Sequence, residues 1–346
     1  ECNCRSGQYA AATENSSQVV KVAFETENRN LACSAILCLM ENQIATAEWD
    51  GAYRTKGLLT SQDIASMPVY AKALAMFLSA SLHVELGCFE SALSDLDALD
   101  QLASSETPVM EVGLGKVLRA RIYCQQGRVR EAIELLGKLE ITCAQRRWAY
   151  QLTIVKLQLA QALLMSEEWQ KALGKARDSL RLARAMPASH LEAQAHYLLG
   201  KIALLQAERL FSPESDGRSR QLTDDDPLLR TAYAELQKAL SLSSNSFMVE
   251  IAWRAHQMMM RFYRVTSNLD SALGHAQEAL KLLSLVENRI PTETLDCFKE
   301  IEERNRAKSE CESLVQDCLG KCEQASASVG EMEEEHLRML FRASSL

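Results

Sequence analysis

Seven alanines recur in this chain on a fixed beat. Ala12, Ala52, Ala92, Ala132 and Ala172 stand 40 residues apart, and Ala232 and Ala272 keep that interval after a gap of one period plus 20 residues. A repeat of this length marks stacked supersecondary units, each burying its apolar face only against its neighbours. Three residues before each alanine stands a bulky apolar side chain: Tyr9, Trp49, Phe89, Val129, Trp169, Leu229 and Leu269. Five before it, glycine often supplies a turn, as at Gly7, Gly87 and Gly127. Four and seven after it come small or aliphatic residues, such as Leu136 with Leu139 and Ala276 with Ala279. Spacings of three, four and seven define one face of an α-helix.

Twelve residues before the alanine, an earlier helix carries a second small or flexible residue: Ala80, Ala120, Ala160 or Met260. A larger neighbour follows one turn later: His83, Tyr123, Leu163 or Tyr263. In the interrupted unit the corresponding pair is Gly200 and Ala203. Each unit therefore reads as first helix, tight turn, second helix, with the alanine where the two helices approach so closely that only a methyl group fits. The stretches GCFESALSDLDAL, GRVREAIELLGKL and NLDSALGHAQEAL resemble the turn and second helix of the tetratricopeptide repeat family. The resemblance covers roughly residues 1–286. It implies an all-α fold, a right-handed α-solenoid of helix hairpins with a C-terminal helical extension. The family's common period is about 34 residues; the longer period here, and the absence of its fixed proline, predict longer helices or loops.

The pattern predicts a truncated first repeat over about 1–22, then repeats over about 28–64, 68–104, 108–145 and 148–185. A sixth begins near Ser189 and is interrupted by a polar insertion over about 212–227, where Ser212, Ser215 and Ser219 are candidate modification positions. Asp226 and Pro227 form an N-cap and first-turn pair for the delayed second helix. The last clear repeat spans about 246–286. Residues 287–346 keep helical periodicity without the alanine beat, and are expected to be an extension leading toward a following domain. The chain opens on Glu1 rather than Met, which reads as an excerpt from something longer.

The net charge of −8 argues against a nucleic-acid footprint. No apolar run reaches the roughly 18 residues of a membrane span. The eleven cysteines are scattered, mostly through helices, which suggests small hydrophobes in a reducing cytoplasm. Cys311, Cys318 and Cys322 fall on one helix face, but without the tight C-x₂-C knuckle of a zinc site. GLGKVL at Gly113 and GKIALL at Gly200 are fragments of a phosphate loop, not the whole motif. The six histidines are dispersed in sequence. Enzymatic activity, a cofactor and a metal are therefore not expected.

In repeats of this family the first helix of each hairpin lines the concave face, and its second, fifth, ninth and twelfth positions face the groove. By that resemblance the candidate partner-binding residues are Phe77, Ser81, Arg121, Gln161, Gln194, Tyr197, Lys201, Arg254, Gln257, Arg261 and Arg264. The set gives an acidic protein a basic, hydrogen-bonding stripe, which suits an acidic protein or peptide. The same positions are also ordinary solvated helix sites that pair with local Glu and Asp. The segment EIAWRAHQMMMRFYRVTSNLDSALGHAQEALKLLSLVENRIPTETLDCFKEIEERNRA resembles the closing repeat of large bacterial signalling regulators that join such an array to kinase, sensory or ATPase modules. That resemblance implies a non-catalytic interaction module inside a signalling or transcription-regulatory protein. The alternatives are a solenoid that senses a small-molecule effector and a scaffold subunit of a stable assembly.

Overall fold

The computed structural model describes residues 9–103, 110–210, 226–245, 248–299 and 301–318, and within them every regular element is helical. Helix α1 (Tyr9–Glu25) is a lone second helix. Five hairpins follow the same plan: α2 (Arg29–Ala45) with α3 (Trp49–Lys56), α5 (Val69–Glu85) with α6 (Phe89–Ala103), α7 (Met110–Gln125) with α8 (Val129–Gln145), α9 (Ala149–Met165) with α10 (Trp169–Arg184), and α11 (Ser189–Leu210) with α12 (Pro227–Asn245). The sixth pairs α13 (Val249–Val265) with α14 (Leu269–Glu287). A short helix α4 (Ser61–Ser66) links the first two hairpins. A 3₁₀ turn at Thr292–Thr294, helix α15 (Leu295–Lys299) and helix α16 over residues 302–318 complete the chain. Successive first helices touch one another from α2 through α13, so the hairpins stack as an α-solenoid.

All seven beat alanines are buried, six of them completely and Ala12 nearly so. Their partners Ala80, Ala120, Ala160 and Met260 are buried too, as is Ala203 one turn after Gly200. At Gly200 the approach is closer than a methyl allows: an added Cβ would lie 2.7 Å from Leu236 Cγ and 3.1 Å from the Leu236 backbone nitrogen. The turn between the two helices of a hairpin also has one fixed geometry. The residue five before the beat alanine takes a left-handed backbone at Ala47, Gly87, Gly127, Glu167 and Ser267, with φ between 56° and 77°. Only two of those five are glycine. The same turn is thus built where the sequence gives no glycine signal, at the cost that a Cβ carries in this region.

The first hairpin departs from the repeat. Helix α3 ends early at Gly57, and α4 begins in a capping box in which Thr60 and Asp63 exchange side-chain and backbone hydrogen bonds. Arg29 of α2 pairs with the same Asp63. At the interrupted hairpin, Asp226 Oδ1 accepts from the Leu228 and Leu229 amides at 2.8 and 3.4 Å, the expected N-cap. Residues 211–225, with Ser212, Ser215 and Ser219, lie outside the described residues, as do Pro108 and Cys322.

The chain then turns back on itself. After α14, residues 286–301 pack Val286, Ile290, Phe298 and Ile301 against Ala47, Trp49, Ala52, Leu82 and Leu86 of the first two hairpins. The Asp50 amide donates to the Arg289 carbonyl at 2.8 Å, and Arg289 Nη1 donates to the Thr46 carbonyl at 3.3 Å. The solenoid is closed head to tail.

Two substitutions test the packing and the turn separately. Gly200→Ala is expected to cost about 1–3 kcal/mol through forced displacement of α12. Ser267→Gly relieves a left-handed Cβ on an exposed turn and is expected to gain about 0.5–1 kcal/mol. Urea unfolding of the two variants checks both signs.

Candidate functional site

Closure brings a charged cluster together on the first helices of the hairpins and α16. Arg304 of α16 lies at its centre, its side chain only 6% exposed. Its Nη1 donates to the Glu85 carbonyl at 2.9 Å, and its Nη2 lies 3.3 Å from both Glu85 Oε2 and Glu250 Oε1. Its guanidinium stacks over the rings of Trp49 and Phe298, 4.7 and 4.8 Å from their centroids. Those two rings themselves meet at 5.7 Å. Glu85 also receives Arg121 at 2.8 Å. Arg254 pairs with Glu250 at 2.6 Å and with Glu303 at 3.6 Å, and stacks over Trp253. Lys201 lies over the Tyr197 ring, 5.6 Å from its centroid, with the Glu303 charge nearby.

Four cations, Arg121, Lys201, Arg254 and Arg304, thus surround three carboxylates, Glu85, Glu250 and Glu303. No carboxylate makes an ion pair with Lys201 among the described residues. Burial opposes ionisation of Glu303, but the charges of Arg254 and Lys201 outweigh it and hold the carboxyl down to about 2. Burial likewise opposes the Glu85 charge, and Arg121 and Arg304 reverse the effect so that its pKa falls below the ordinary value. The Lys201 and Arg254 pKa values rise despite burial, because Tyr197 and Glu303 stabilise the first charge, and Glu303 and Glu250 the second.

The structure distributes the eleven candidate residues unevenly. Arg121, Tyr197, Lys201 and Arg254 come together in the cluster. Gln257 is buried beside it and donates to Glu310 Oε2 at 2.9 Å. Arg261 is held apart in a two-pronged pair with Glu208, at 2.5 and 3.1 Å. Phe77 packs between two apolar clusters. Ser81, Gln161 and Gln194 are half-buried, and Arg264 is exposed near the end of α13. Sequence spacing gave no sign of Glu85, Glu250, Glu303 or Arg304. Glu85 ends α5 and Arg304 follows it by more than two hundred residues, so only closure unites them. Two of the histidines dispersed in sequence meet: His256 and His275 face each other, Nδ1 to Nδ1, at 2.8 Å, and burial lowers the His256 pKa to about 4.

The geometry can bind and orient charged groups. Among the described residues no group of three His, Cys, Asp or Glu is placed to hold a metal, and no helix is long and apolar enough to cross a membrane. The fold and cluster define a helical-repeat solenoid with a charged cluster on its first helices. No family model matches the chain, and no curated protein does. Solved structures do. A Rap protein complexed with Competence and Sporulation Factor is 11% identical, with a TM-score of 0.59 over 92% of this chain and 93% of that one. The apo form of RapI is 11% identical, with a TM-score of 0.48 over 92% and 98%. BtubC (BKLC) from P. vanneervenii is 15% identical, with a TM-score of 0.47 over 73% and 94%. The likeness to the Rap complex shows a shared helical-repeat architecture.

Two measurements probe the cluster. Arg304→Ala leaves Glu85 and Glu250 short of a cation and strips the rings of their cover. It is expected to cost about 3–5 kcal/mol, the range for breaking a buried pair, and to speed amide exchange at Asp50. Glu303 gives the pH dependence. Its folded pKa is depressed below the ordinary value near 4.3, so its contribution is fully present above about pH 4.5 and is lost as pH falls toward 2. Glu303→Gln is expected to be less stable than the parent by about 2–3 kcal/mol at pH 7, and the difference should shrink across that acid window in unfolding titrations.

Proposed function

We propose that this chain is a non-catalytic protein-interaction module of a larger signalling or transcription-regulatory protein, and that it takes an acidic protein or peptide segment in its concave groove. The carrying observation is the uneven charge of the first helices. Among the described residues Lys201 is held beside Tyr197 without a carboxylate in ion-pair contact, in a cluster of four cations and three carboxylates. A carboxylate from a partner balances that excess and meets an aromatic face already in place. The cluster also shows which chemistry the groove accepts, because the chain's own Glu303 and Glu310 reach Arg254 and Gln257 there. The likeness to a Rap protein that was crystallised with a bound factor supports a solenoid of this build holding a second molecule.

The test is a charge-reversal series at Arg121, Lys201 and Arg261, read by fluorescence anisotropy with a labelled Glu- and Asp-rich peptide. Arg121→Glu and Lys201→Glu are expected to weaken binding at least about tenfold, the scale of one lost charge-assisted contact. Arg261→Glu, set apart with Glu208, reports whether the site extends along α13. Lys201→Gln separates loss of charge from misfolding. Unchanged affinity across well-folded variants removes the groove from consideration.

A further inference from the structure

The closure carries a pair of thiols that the groove does not use. Cys88 sits in the turn between α5 and α6, immediately after Gly87, and Cys297 sits on α15. The two backbones are pressed together at this point. A Cβ added to Gly87 would lie 2.5 Å from the Cys297 carbonyl oxygen and 3.1 Å from Ile301 Cγ1. Gly87 meets this demand with φ +77° and no side chain. Cys88 packs on the same apolar cluster as Phe298 and Ile301, with the Cys297 thiol as its neighbour. Both side chains are partly exposed, so a small oxidant reaches them. This backbone contact sets Cys88, the next residue, alongside Cys297, and a disulfide needs the two Cβ atoms about 3.5–4.5 Å apart.

We infer that Cys88 and Cys297 are a disulfide site, oxidised by a low-molecular-weight disulfide such as oxidised glutathione, and that the bond locks the head-to-tail closure. One protein thiolate attacks glutathione disulfide, forming a protein–glutathione S–S bond and releasing one glutathione thiolate. The second protein thiolate then attacks the protein sulfur of that mixed disulfide. The Cys88–Cys297 bond forms, the protein–glutathione bond breaks and a second glutathione leaves. Two protein thiols are oxidised, one glutathione disulfide is reduced to two thiols, and the two protons pass to them. Burial and the neighbouring thiol push Cys88 up to about 12, while the Lys56 charge acts the other way, so Cys88 is slow to form the attacking thiolate. The reduced pair is the resting state in a glutathione-poised compartment, and the bond forms when that poise turns oxidising.

The inference is independent of what the groove binds. Its test uses the full chain equilibrated in glutathione buffers of increasing oxidised fraction. Peptide mapping under non-reducing conditions should recover a Cys88–Cys297 cross-link as the main product. The unfolding midpoint should rise by about 5 °C, and Asp50 amide exchange should slow at least about tenfold, because that amide bonds to Arg289 across the closure. Cys297→Ser and Cys88→Ser should each abolish all three changes while, reduced, Cys297→Ser unfolds like the parent. Cys88 and Cys297 persisting as thiols or separate glutathione adducts, or a cross-link that leaves Asp50 exchange unaltered, overturns the inference.

Discussion

The contact on which the solenoid depends is the approach of two helices across a methyl-sized gap, repeated every 40 residues. Where the gap is smallest, glycine replaces the alanine partner and Leu236 closes over it. This contact fixes the distance between helices, and the left-handed turn residue fixes the angle at which the second helix returns. With distance and angle both set, the first helices pack side by side in one continuous layer. Nothing in one hairpin needs a distant partner, which is why the period appears in sequence at all.

The charged cluster obeys a different rule. Each of its carboxylates is worth little on an exposed helix. Buried together, Glu85 and Glu303 are held ionised by the neighbouring cations, and removing any one member of the cluster leaves the others uncompensated. Arg304 suits the centre because its planar guanidinium bonds along its edge and stacks on Trp49 and Phe298 with its faces. A lysine there would supply the charge without the stacking. The orphaned Nε1 of Trp49 and Nε of Arg304 show the cost that this close packing accepts.

These two rules explain what was legible in the sequence. The alanine beat, the bulky residue before it and the capped start of α12 were readable because each rests on residues within one repeat. Of the candidate groove residues, Arg121, Tyr197, Lys201 and Arg254 lie in one cluster, whereas Phe77 is taken up by core packing and Arg261 by Glu208. Their carboxylate partners were not readable. Glu85 and Glu303 carry no periodic mark, and they meet through a closure spanning most of the chain. The short α3 and the capped α4 were missed for a local reason, since Thr60 and Asp63 lie inside the repeat that the pattern predicts over about 28–64, where it expects no second helix start.

Closure and groove share atoms, and this constrains how the molecule works if its groove takes an acidic partner. Glu303 sits with Arg254 and near Lys201, so a carboxylate arriving at either cation competes with the chain's own α16. Displacing Glu303 weakens the hold of α16 next to Arg304, whose bonds to Glu85 help to tie the first hairpins to the last. By linkage, whatever loosens the closure must then raise the affinity of the groove for such a partner, and whatever tightens the closure must lower it by the same factor. A solenoid of independent repeats has no such coupling. This one acquires it because residues 286–304 return to the helices where the array began.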